Sequence, residues 1–284
     1  MDHGFPQWTA DAAPALVRRA FGRARPASTW RGQDPIREEL FSIGRLEDHA
    51  RSLAAAQPVA PPQARRAHWL PPGKDALTRR LAGNGAALLR CYQSIMAVVE
   101  SGRTVTPAAE WLIDNYHLVE RQVRAIRQDL PPGYCRQLPK LVDGPFAGSP
   151  RVFGLAWAFV AHTDSRFDRD GLVRTVRAYQ EVQPLTIGEL WAVPITLRLV
   201  LIENLRRLAE QTVHNCVARQ QADLAADRLL GRGGHPAEPL EAVVAGHGDM
   251  RLSRAFAVQL LHRLRDQDGT AFPALAWLDQ RLAA

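Results

Sequence analysis

Apolar residues recur along this chain at three- and four-residue steps, and proline- and glycine-rich stretches interrupt them. That pattern restricts the fold more than any other feature. A period near 3.6 builds amphipathic helices, whereas a half-buried strand needs alternation of period 2, which no stretch sustains. Leu112, Tyr116, Val119, Val123 and Ile126, for example, form one continuous stripe. The breaks fall at 57–73, with Pro58, Pro61, Pro62, Pro71 and Pro72, at 129–150 and at 231–239. The expected fold is all-α: a multi-helix bundle with Pro-rich linkers and an irregular N-terminus. Its parts are an irregular basic N-terminal arm at 1–33 with a short helix near 15–21, a helix at 34–57, a Pro-rich linker at 58–73 and a helical bundle domain at 74–284.

Several helix starts follow from capping chemistry. Thr186 and Glu189 have the spacing of a capping box, in which the hydroxyl accepts from the N3 amide while the carboxylate reaches back. Leu185 and Leu190 flank it as a hydrophobic staple. The helix that follows is expected to pass Leu208 and extend toward Leu230, kinked at Pro194, which has no N–H to give. Asp34–Pro35, Thr106–Pro107 and Ser149–Pro150 each pair an N-cap residue with a proline suited to the first helical position. Asp34 would thus open a helix carrying Ile36, Leu40, Ile43, Ala50 and Leu53 on one face. Two further helices are expected at 249–265 and 273–282.

With 284 residues, 46% of them hydrophobic and 23% charged, the chain can bury a core. Collagen-like, low-complexity and disulfide-scaffold classes are excluded. Cys91, Cys135 and Cys216 are too few and too scattered for a disulfide framework and read as free thiols. The net charge of +7 is carried almost entirely by arginine, with the excess in residues 1–33 and 58–90. Such a surface can meet nucleic acid or anionic lipid, yet no run reaches the five or six like charges of a binding tail. The first residues lack a secretory pattern. The most apolar run, 190–202, contains Pro194 and Arg198 and falls short of the ~20 residues that a membrane span needs.

Hydrolase, zinc-protease, Walker and dinucleotide-binding signatures are missing from the sequence. The polar stretch from His162 to Gly171 offers two site readings. As a calcium loop it would place Arg166 and Arg177 where oxygen ligands are required. As a D-x-D metal–diphosphate motif, Asp168 and Asp170 lack a leading strand. The simpler reading makes Asp168 a helix cap, with Asp164 and Arg166 shaping the turn. His162 suits the negative end of a helix dipole. Trp111, Trp157 and Trp191 fall in apolar helices and are expected in the core. Arg121, Arg124 and Arg127 share a solvated face.

The segments TPAAEWLIDNY at 106–116, RQDLPPGY at 127–134, LPKL at 138–141 and RVFGLAWAFVAHTDSR at 151–166 carry a resemblance. So do AYQEVQPLTIGELW at 178–191, TLR at 196–198, ENLRRLAE at 203–210 and LFSIGRLEDHA at 40–50. Together they resemble the N-terminal region of cyclic β-1,2-glucan synthases, most specifically over 105–210. Pro194 and Cys135 depart from the family pattern, which leaves the local helix geometry at 194 open. The resemblance implies a very large bacterial inner-membrane protein with a UDP-glucose-dependent glycosyltransferase, membrane helices and a C-terminal phosphorylase-like domain. It polymerises and cyclises glucose through β-1,2 bonds and delivers the product to the periplasm.

On this resemblance the chain is an accessory helical module, a fragment that stops inside a helical pattern at 277–284. It lies on the cytoplasmic side of the membrane, the fragment itself soluble. Its partners are the transferase and membrane domains of the same polypeptide, with glucan a further contact and nucleic acid disfavoured. No family catalytic residue and no metal ligand map onto it, because UDP-glucose and a divalent metal belong to later parts of the family. Trp157, His162, Asp164 and Arg166 are the candidates for an interface or carbohydrate contact. Two rival readings are a basic helical adaptor for nucleic acid or an anionic membrane surface, and an independent enzyme using His162, Asp164 and Asp168.

Overall fold

The computed structural model describes residues 34–60, 76–131, 133–232, 236–239, 242–243 and 253–265. The expected arm at 1–33 with its short helix, nearly all of the linker at 58–73 and the helix at 273–282 lie outside these. The described chain is helical: α1 Ile43–Ala56, α2 Ala76–Glu100, α3 Pro107–Asp129, α4 Arg151–His162, α5 Arg169–Val182, α6 Ile187–Leu229 and α7 Arg254–Leu264. The all-α expectation holds. It missed a small ribbon in which β1, Val59–Ala60, pairs antiparallel with β2, Lys140–Leu141. Two residues per strand are too few for alternation to register in the sequence.

Two compact units divide the chain. Among the described residues, one comprises those within 34–88 and 114–208 and the other those within 89–113 and 209–265, so that α2, α3 and α6 each supply residues to both. In the first unit Ala50, Leu138, Val152, Leu155, Ala178, Tyr179 and Ala192 form a buried cluster. Leu53, at the end of the α1 stripe, packs against it. In the second, small residues of α6 (Ala218, Ala222, Ala225 and Ala226) let Phe256, Leu260 and Leu264 of α7 pack closely. Ser253 caps α7 by accepting from the Phe256 amide at 3.2 Å.

Asp34 does not open a helix. Residues 34–42 are not helical, with bends at Asp34 and Ile36, and the true cap is Ser42, whose hydroxyl accepts from the Arg45 amide at 3.4 Å. Tertiary acceptors take the amides that a helix would have used. Ile36 N donates to Asn204 Oδ1 at 2.6 Å, Glu38 N to Ala161 O at 3.0 Å and Phe41 N to His162 O at 3.1 Å. Ile36 is buried by this arrangement, while Leu40 turns outward. The Ser149–Pro150 start shifts by one residue as well. Pro150 sits at the cap position and bridges Lys140, and α4 begins at Arg151.

Pro194 lies inside a continuous α6. It removes the donor that would have reached Leu190 O. One turn on, the Thr196 hydroxyl donates to Ala192 O at 2.8 Å, with Val193 O 3.0 Å away.

Candidate functional site

The capping box at the start of α6 is the nucleus of the first unit's polar core. Thr186 N donates to Glu189 Oε2 at 2.8 Å, and Glu189 N donates back to Thr186 Oγ1 at 3.3 Å. Glu189 is wholly buried, and Arg151 at the first turn of α4 meets it bidentately, Nε to Oε1 at 2.5 Å and Nη2 to Oε2 at 2.8 Å. The guanidinium also donates to Gln183 Oε1 at 2.9 Å and Pro184 O at 2.8 Å. Burial pushes the Glu189 carboxyl up, but the hydrogen bonds from Arg151 and Thr186 outweigh it and hold the group below the ordinary carboxylate range. The result is a fully satisfied charge pair that locks α4 to α6.

A second buried carboxylate, Glu203, receives Arg80 through Nη2 at 2.8 Å and through Nε, and Arg207 Nη2 at 2.9 Å. Burial raises its pKa, but Arg80 and Arg207 outweigh that and hold the carboxyl below the ordinary range. The same guanidiniums flank Trp157, with carbon centres 4.9 Å (Arg207) and 5.8 Å (Arg80) from the ring centroid. Trp157 is half-buried against Phe146, 5.0 Å between centroids.

The other sequence candidates are placed separately. His162 is buried, stacked on Phe41 at 3.8 Å, with His49 edge-on at 4.8 Å. Its Nδ1 lies 2.8 Å from Glu39 O, and since a carbonyl can only accept, that nitrogen carries the proton. Its Nε2 stands 3.3 Å from Glu38 Oε2. Asp164, at φ 50°, pairs with Arg37 at 3.3 Å. Arg166 is exposed, its amide donating to Thr163 O at 2.9 Å. Asp168 accepts from Asp170 N at 3.3 Å and Gly171 N at 2.9 Å, as the cap reading requires. His162, Asp164 and Asp168 are each engaged by a different partner: Glu39 O and Glu38, Arg37, and the first amides of α5. Cys91 and Cys135 are buried and Cys216 partly so, and none of the three is in a disulfide.

The tryptophan expectation needs correction. Trp191 is 74% exposed and Trp111 51%. Trp191 stands one turn from Ile187, itself 76% exposed. Beside this pair a groove of about 260 Å³ runs between α5 and α6, lined by Leu172, Val176, Leu190, Val193 and Pro194, with Arg177 and Gln180 also on its wall. Leu190, expected to staple the helix start, lines this groove and is partly exposed. Sequence reasoning missed the face because an apolar stripe that packs inward and one that is left bare have the same periodicity. The available signal was that α6 is apolar on more than one side before Leu197.

No family model matches the chain. Among the described residues no helix is long and apolar enough to cross a membrane. Comparison with characterised proteins finds 39% identity over 250 residues to the cyclic beta-(1,2)-glucan synthase NdvB of Rhizobium meliloti (strain 1021). The aligned region covers 88% of this chain and 8% of that relative, so the chain spans less than a tenth of the relative's length. Identity of that extent, along nearly the whole chain and in agreement with the motifs, makes this protein a relative of one segment of the cyclic β-(1,2)-glucan synthases.

Proposed function

We propose that the chain serves as a non-catalytic, structural segment of a cyclic β-(1,2)-glucan synthase, holding the UDP-glucose-dependent transferase part in place on the cytoplasmic side of the inner membrane. The observation that carries this reading is the 39% identity over 88% of the chain to a synthase many times longer. The chemistry of the described residues supports it. The buried charges, Arg151 with Glu189 and Arg80 and Arg207 with Glu203, are spent on one another, and Asp168 on a helix cap. Groups so engaged hold a scaffold rigid and are not poised to transfer protons. The described residues bring no three His, Cys, Asp or Glu side chains together as a metal site. This proposal assigns UDP-glucose and a divalent ion to the remainder of the synthase.

Trp157, His162, Asp164 and Arg166 remain the candidates for touching glucan or a neighbouring domain. Trp157 and Arg166 have the exposure to do so, whereas His162 is buried. The test has two arms. The purified chain, incubated with UDP-glucose, is expected to release no UDP and form no glucan, and measurable turnover would overturn the reading. In the full-length relative, deletion of the matching span is expected to abolish glucan synthesis while the polypeptide still accumulates; undiminished synthesis would equally count against it.

A further inference from the structure

Among the described residues, the α5–α6 face leaves two of the most exposed large apolar side chains bare. An amphipathic helix buries its apolar stripe, yet Ile187 and Trp191 project into solvent beside an open groove of leucine, valine and proline side chains. Val173, on the groove wall, is exposed as well. Large apolar side chains left bare beside an apolar groove are surface that a partner can cover.

We propose that this face docks a helix from another part of the same synthase polypeptide, which sets an apolar side chain into the groove and a carboxylate against Arg177. The inference rests on the functional reading above. Three observations select the occupant. The groove wall is mostly aliphatic, so a sugar seated there would leave hydroxyls unpaired, whereas a helix face fills it. Arg177 is exposed and has no carboxylate partner among the described residues, which calls for an acid on the incoming surface. The groove is small, about 260 Å³, whereas a stable free complex buries roughly 800 Å² per partner. A patch that small holds its partner only when a tether raises the effective concentration. A tether is what the relative supplies: the matched region is 8% of its length, so most of what surrounds that region is the same polypeptide.

The experiment is site-specific photo-crosslinking in the full-length Rhizobium meliloti relative. A benzophenone amino acid replaces the residue aligned with Trp191 and, in a second sample, the residue aligned with the exposed Val142. The Trp191 position is expected to give an intramolecular product whose partner peptide, identified by mass spectrometry, lies outside the aligned span. Its yield should exceed that at the Val142 position at least fivefold. Equal yields at both positions, adducts to lipid, dimers of two synthase copies, or crosslinks confined to the aligned span would each overturn the proposal. Glucan synthesis by the same samples is scored separately. A synthase that needs the span yet crosslinks elsewhere sinks the docking site and leaves the functional reading standing.

Discussion

Arg151 and Glu189 show how one buried pair can decide the placement of two helices. Each satisfies the other, and Thr186, Gln183 and Pro184 take the remaining hydrogen-bond capacity. Removing one partner leaves a bare charge in the core, which costs about 3–5 kcal/mol, whereas replacing both with apolar residues of similar volume is often close to neutral. Arg151→Met alone is therefore expected to lower stability by about 3 kcal/mol in urea titration, and Arg151→Met combined with Glu189→Leu to recover much of the loss. A single variant no worse than the double would show that the pair is not what locks α4 to α6.

His49 supplies a pH dependence at the same scale. Burial lowers its pKa first, and the neighbouring His162 charge lowers it further against the pull of Glu38. The folded state therefore binds its proton less readily than the unfolded chain. Its contribution to stability is complete above the ordinary histidine value and declines as pH falls through that value toward the depressed one. His214, depressed by burial, acts in the same direction. The unfolding midpoint is expected to drop between pH 7.5 and pH 5.5, and His49→Gln to flatten part of that slope. An unchanged slope in the variant would assign the effect elsewhere.

At the scale of elements, three of the expected caps were legible because each is local. The Thr186–Glu189 box, the Asp168 cap and Thr106, whose hydroxyl accepts from Ala109 N at 3.4 Å, all stand where spacing put them. Asp34 failed because its competitor is tertiary: Asn204 and the end of α4 claim the amides of residues 36–41. The two candidate caps make a clean comparison. Ser42→Ala is expected to cost about 1 kcal/mol, while Asp34→Ala should cost α1 nothing, because its side chain caps no helix. Circular dichroism with urea titration reads both, and equal losses would contradict the assignment.

Gly171 belongs with the Asp168 cap. A Cβ there would lie 2.9 Å from Asp168 Oδ2, so Gly171→Ala must displace the cap and loosen the start of α5.

Over the whole molecule, the two compact units and the bare α5–α6 face are what a sequence reading does not reach. If that face is made for a partner, the isolated fold does not depend on it. Ile187→Ser with Trp191→Ser is then expected to change stability by no more than about 0.5 kcal/mol, the range of ordinary surface substitutions. A loss above about 1.5 kcal/mol in urea titration would mean that the face packs within the fold.

By itself the sequence determined the all-helical class, the starts of α3, α5 and α6 and the relationship to glucan synthases, because periodicity, caps and motif identity are properties of neighbouring residues. Only the tertiary structure decided which apolar stripes are buried, that residues 34–42 stay out of a helix, and that Arg151, Arg80 and Arg207 each take a buried carboxylate. Those outcomes depend on which distant donor or surface reaches a group first, and local spacing does not record that competition.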